Sequence, residues 1–137
     1  PTLFYNDANQ HVAKMVETRI ANTNSPWLAG VKVGDIHAIP VSHGEGKFVV
    51  TAEEFVELRD NGQIFSQYVD FEGRPSMDSK YNPNGSVHAI EGITSKNGQI
   101  IGKMGHSERF EDGLFQNIPG SKDQHLFASA VQYFTGK

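Results

Sequence analysis

Gln99-Ile100-Ile101-Gly102-Lys103-Met104-Gly105-His106-Ser107-Glu108-Arg109 is the stretch on which the reading of this chain turns. Its apolar run reads as a buried strand, and Gly105 frees the backbone just before a histidine and a carboxylate two positions apart. In a straight strand, side chains at i and i+2 share a face but stand roughly 6.5 Å apart, so His106 and Glu108 meet only if the chain turns. A carboxylate bound to one ring nitrogen fixes the tautomer and leaves the other nitrogen free to take a proton from a nucleophile. The pair is thus a candidate catalytic base with its orienting acid. The competing reading is an exposed strand end with an incidental ion pair.

Upstream, residues 87–94 and 99–104 form a predicted hairpin around Ser95-Lys96-Asn97-Gly98, with Asn-Gly at the turn. This hairpin delivers His106. Residues 63–70 alternate as a strand with aromatics on both faces, which predicts burial from two sides. Between them, residues 71–86 are rich in Gly, Pro, Asp, Asn and Ser and read as a long loop, tightest at Asn82-Pro83-Asn84-Gly85-Ser86. Thr51-Ala52-Glu53-Glu54 is a capping box that starts a helix, with Phe55, Val56 and Leu58 as its apolar face and Gly62 as its stop.

Residues 11–20 read as a strand because β-branched residues dominate their second half. Asn22 to Pro26 is a loop by composition, after which Trp27 and Leu28 are expected to anchor on the core. Residues 36–42 form the next predicted strand, where Pro40 removes a ladder donor and argues for an edge position or a bulge. His43-Gly44-Glu45-Gly46 then reads on physical grounds as a hairpin turn before Phe48-Val49-Val50. At the far end, Ser121-Lys122-Asp123-Gln124 is a candidate cap for a last helix. Leu126, Phe127, Ala130, Val131 and Phe134 would dock that helix on the sheet.

The 137 residues, 37% of them apolar and 20% charged, suit one ordinary domain. A formal charge of −4 and the lack of a Lys/Arg stripe argue against a nucleic-acid partner. No apolar run is long enough for a membrane helix and the start carries no basic-then-apolar signal pattern, so a cytoplasmic location is expected. The sequence holds no cysteine, which excludes disulfides, thiolate metal sites and cysteine nucleophiles from the chain as it stands. It also lacks a phosphate-binding Gly-x-x-x-x-Gly-Lys loop and a Gly-x-Ser-x-Gly elbow. The six histidines, at 11, 37, 43, 88, 106 and 125, show no metal-binding spacing. His88 and His125 read as surface residues and His37 as flanking a strand. A metal-dependent hydrolase built on His43, Glu45, His106 and Glu108 is a weaker rival, and no metal site is assigned.

Five motifs in order, Ser25-Pro26-Trp27, Pro40 to Phe48, Tyr68-Val69-Asp70, Asn82 to Ser86, and Gly105 to Arg109, resemble the glutaminase domain of phosphoribosylformylglycinamidine synthase. The resemblance covers essentially the whole chain and is similar in style to the large single-chain bacterial synthase, where the glutaminase is the C-terminal domain. It implies an α/β fold of the flavodoxin-like class I (triad) glutaminase type, a mixed sheet with flanking helices, and the catalytic hairpin at the carboxyl ends of the strands. It further implies a Cys-His-Glu triad in which His106 and Glu108 are the last two members, while His43, Gly44, Glu45 and Gly46 match a motif near the glutamine site.

Two departures matter. Ser107 stands where the family usually has proline, and the Gly-x-Cys-x-Gly elbow does not occur between Pro1 and Lys137. Residues 1–137 are therefore expected to be the C-terminal half of the domain, without the nucleophile and inactive alone. The implied partners are glutamine, the remaining half of the domain and a synthase domain that uses ATP and Mg; this half itself calls for no cofactor. Self-association, or pairing with the missing half, through an exposed sheet edge and apolar face is a further expectation. The alternative function is a non-catalytic glutaminase-like module that docks on a synthase.

Overall fold

A computed structural model describes residues 1–136. The chain order is β1 (Thr2–Phe4), β2 (Val12–Ile20), β3 (Ile36–His43), β4 (Lys47–Val49), α1 (Ala52–Asp60), β5 (Ile64–Val69), β6 (Ile90–Thr94), β7 (Ile101–Lys103) and α2 (Leu126–Thr135). Five strands form the main sheet in the order β3-β2-β5-β6-β7, while β1 and β4 make a separate two-stranded ribbon. The α/β class is as expected. Every pairing among the described residues is antiparallel, so this part of the sheet has no common carboxyl edge on which to set the hairpin that carries His106.

The longest pairing runs from Val12 opposite His43 to Arg19 opposite Ile36. Pro40 lies in β3, an end strand of the sheet, where its missing N–H breaks no ladder bond. The free side of β3 is nevertheless covered. The Ala38 N–H donates to Ser121 O at 2.7 Å and the His106 N–H to Pro40 O at 2.9 Å. Since His106 follows β7 at the opposite end of the strand order, the sheet curls until its two ends are bridged.

Among the described residues the core has three apolar clusters. Ile20, Leu28, Val31, Phe65 and Leu126 pack together, as do Val16, Val41, Tyr68 and Ala89, and as do Phe48, Leu58, Ile64 and Ile90. Strand β5 is buried on both faces, as its aromatics predicted. Leu28 is fully buried and Trp27 packs half-buried on the same cluster, which anchors the polar loop before them.

Several local expectations are corrected. His43 to Gly46 is no hairpin turn, because β4 leaves β3 and pairs with β1, Leu3 facing Phe48. In α1 the capping box forms, with Glu54 N donating to Thr51 Oγ1 and Thr51 N to Glu54 Oε2, but Val56 faces solvent. His37 lies inside β3 and is buried rather than flanking the strand. Helix α2 starts at His125 in the left-handed region without a side-chain cap, and Asp123 accepts a bond from the His125 N–H instead. Only Leu126, Ser129 and Ala130 of α2 are buried. Phe127, Val131 and Phe134 remain exposed, with Trp27 edge-on to both phenyl rings.

Candidate active site

Strand β7 ends at Lys103, and the four residues after Met104 build the site. Gly105 sits where a Cβ would meet Ile39 Cγ2 at 2.6 Å and Glu91 Oε1 at 2.9 Å, so a larger residue would push the turn off β3. The chain then bends back, with Arg109 N donating to His106 O at 3.2 Å. That bend brings His106 Nδ1 to 2.6 Å from Glu108 Oε1, the contact a straight strand forbids. With Nδ1–H committed to the carboxylate, Nε2 carries the lone pair; it is buried and has no hydrogen-bond partner among the described residues. Partial desolvation pushes the Glu108 carboxyl up. Its own backbone N–H, the His106 hydrogen bond and the charges of His106 and Arg109 outweigh that and hold it below the usual carboxylate range.

His43 is the second ring of the site. It stacks on His106 with centroids 4.9 Å apart and planes 8° off parallel. Its Nε2 donates to Met104 O at 2.5 Å, which defines the tautomer and locks the ring against the turn. The two motifs singled out in the sequence thus meet through their histidines. A pocket of about 270 Å³ opens here, lined by both histidines, Glu108, Lys103, Trp27 and Phe127 among others.

Gly44, Glu45 and Gly46 do not line that pocket. Glu45 points to solvent, and the glycines pack on a polar scaffold. The Asn6 amide donates to His43 O at 2.6 Å and accepts from Gly46 N at 2.9 Å, and the Asn6 N–H reaches Gly44 O. Ser86 Oγ donates to Gly46 O, and a Cβ on Gly46 would collide with the buried Asn84 side chain. The Asn-Pro-Asn-Gly-Ser loop therefore supports the His43 segment from below. Asn6 carries no local sequence signal, and its role is visible only once β1 and β3 are placed. Among the described residues no three His, Cys, Asp or Glu side chains group as a metal site.

The profile of the CobB/CobQ-like glutamine amidotransferase domain family matches residues 1–134. The chain belongs to this family. Among similar proteins, the phosphoribosylformylglycinamidine synthase subunit PurQ of Thermomicrobium roseum is 40% identical over 94% of this chain and 52% of its own length. The subunit PurQ of Gloeobacter violaceus is 33% identical over 89% of the chain and 50% of its length. The structure of PurLQS from Thermotoga maritima superposes on 97% of this chain and 52% of its own, with a TM-score of 0.70 and 23% identity, which shows a shared fold. The chain spans about half the length of the relatives it matches.

Proposed function

We propose that this chain supplies the histidine and glutamate of a glutaminase that feeds ammonia to phosphoribosylformylglycinamidine synthesis. The observation that carries the reading is the His106 ring, bonded to Glu108 through Nδ1 and unpartnered at Nε2 beside a pocket. Membership of an amidotransferase family and the names of the relatives point the same way.

In this reading a cysteine from the other half of the domain approaches His106. Nε2 takes the thiol proton, the thiolate sulfur attacks the side-chain amide carbon of glutamine, and the imidazolium returns the proton to the departing nitrogen as the C–N bond breaks. Ammonia leaves and a glutamyl thioester remains, which water hydrolyses with His106 again as base. Glu108 holds the ring and offsets the imidazolium charge. His43, Gly44, Glu45 and Gly46 border the glutamine side, His43 directly and the other three as the frame behind it. Released ammonia is consumed in a synthase part that holds ATP and Mg and converts formylglycinamide ribonucleotide to its amidine. The reading places the activity in the cytoplasm.

We place residues 1–137 as the C-terminal half of that domain, carried in a large synthase chain, whereas the relatives named above are subunits. The sequence has no thiol, so the chain alone is expected to leave glutamine intact. Sequencing the coding DNA upstream of Pro1 tests this placement, a Gly-x-Cys-x-Gly codon run after an apolar strand being the expected finding. Function is tested with His106→Ala in the complete protein. Glutamine-driven amidine formation should fall roughly 10²- to 10⁴-fold, the range for losing a general acid–base, while formation from added ammonia persists. Unchanged use of glutamine would leave the non-catalytic docking module as the better reading.

A further inference from the structure

Beneath the His106 turn lies an ion pair that the mechanism above does not use. Glu91 on β6 has a side chain wholly removed from solvent, and Lys103 at the end of β7 is only 11% exposed; their Nζ···Oε1 distance is 3.2 Å. Glu91 Oε1 also accepts from Gly105 N at 2.7 Å. Lys103 Nζ donates to Gly105 O at 2.9 Å and to Ser107 Oγ at 2.9 Å. The ammonium thus spends all three of its donors on Glu91 and the turn. Ser107 passes the bond on to Gln124 Oε1 at 2.5 Å, tying the turn to the segment ahead of α2.

Gly105 is therefore gripped at both of its backbone groups, one by each member of the pair, immediately before the catalytic histidine. A buried pair is a poor source of net stability, because desolvation cancels most of the attraction, yet removing one partner strands a charge in the interior. Such a pair is better suited to fixing a geometry than to holding the fold together. Burial and hydrogen bonding place both residues behind His106, with Lys103 at the pocket wall.

We propose that Glu91 and Lys103 are positioning residues, a buried clamp that sets the backbone of the Gly105 turn and so aims His106 Nε2 at its reaction partner. The inference rests on the reading of His106 as the general base. Ser107 is the third point of the clamp, and its hydroxyl supplies a tether at the position where proline would offer none.

The test uses the complete protein with Lys103→Met, Lys103→Arg and Ser107→Ala, measuring glutamine hydrolysis together with hydrogen exchange of the peptide spanning residues 104–109. The clamp predicts a fall of more than tenfold in kcat for Lys103→Met with KM within twofold, faster exchange confined to that peptide, partial recovery in Lys103→Arg and a smaller loss in Ser107→Ala. Wild-type kcat and exchange in Lys103→Met would overturn it, and so would faster exchange throughout the chain with kcat and KM changing together, the mark of a merely structural role. Should Lys103→Met fail to fold, Ser107→Ala decides alone, wild-type kcat and exchange counting against the clamp. If the unaltered protein does not hydrolyse glutamine, the general-base reading fails, and the exchange data still decide whether the pair holds the turn.

Discussion

At the scale of single residues, histidines of one sequence class acquire different chemistry from their surroundings. His106 keeps one nitrogen bonded and one free at a pocket, whereas His37 is buried within β3 with Nδ1 unpartnered. Burial pushes the His37 imidazole down; Asp35 and Asp123 pull it up, Lys103 and His125 push it further down, and the net shift is below the ordinary value of 6.5. The unfolded chain then binds the proton more readily than the folded one, so stability present above pH 6.5 is lost as pH falls from there toward the folded value. Thermal unfolding followed from pH 7.5 down to 5 should show that loss in the wild-type chain and a shallower one in His37→Gln, about those bounds being set by the ordinary histidine range. Equal slopes for the two proteins would count against it. The His106–Glu108 bond was legible in sequence because it is local. Gly105 reads in sequence as a point of backbone freedom, but its φ is not in the left-handed region, and the glycine is needed for its close approach to Ile39 and Glu91. The role of Lys103 was not legible, since nothing adjacent shows that its ammonium turns inward to Glu91.

Helix α2 shows how far pattern reaches at the scale of elements. Its apolar spacing was correctly read as a helix, but spacing does not say how much of a stripe finds cover, and here only Leu126, Ser129 and Ala130 do. Leu126→Ala should therefore cost about 2–5 kcal/mol, the usual toll for emptying a buried leucine site. Val131→Ala, at a position 61% exposed, should stay within about 0.5 kcal/mol. Chemical denaturation of the two variants checks the contrast, and equal losses would mean that the outer stripe is covered in solution. The capping box of α1 and the edge position of Pro40 were both legible, because each follows from the hydrogen-bonding capacity of its residue. The three-residue strands β1 and β4 were too short to show a period, which is why the His43 segment was read as a hairpin instead of a crossing between sheets.

For the molecule as a whole, the exposed apolar side chains among the described residues include a group on the ribbon and another on α2. Leu3, Phe4 and Tyr5 stand exposed on the ribbon, where a cavity of about 410 Å³ opens between Leu3, Phe48 and the residues of β6 and β7. Phe127, Val131, Tyr133 and Phe134 form the second patch on α2. Together they predict that the 15.1 kDa chain on its own runs in size-exclusion chromatography above its monomer mass, and that the excess declines on dilution. A monomer at every concentration would count against that. The order of the five motifs made the family legible through resemblance. How the sheet's ends meet was not, since that depends on curl accumulated over five strands.

The bridging of those ends has a bearing on solubility. An end strand normally offers its unpaired N–H and C=O groups as a template for a neighbouring chain, and β3, with eight residues, is long enough to be a hazard. The bonds from Ala38 to Ser121 and from His106 to Pro40 occupy part of that template from within the same molecule. The turn that presents the imidazole is thereby also a guard on the strand beside it. A substitution that loosens it uncovers an adhesive edge at the same moment that it displaces the His106 ring, so a misplaced imidazole and precipitation at this position are two symptoms of one lesion.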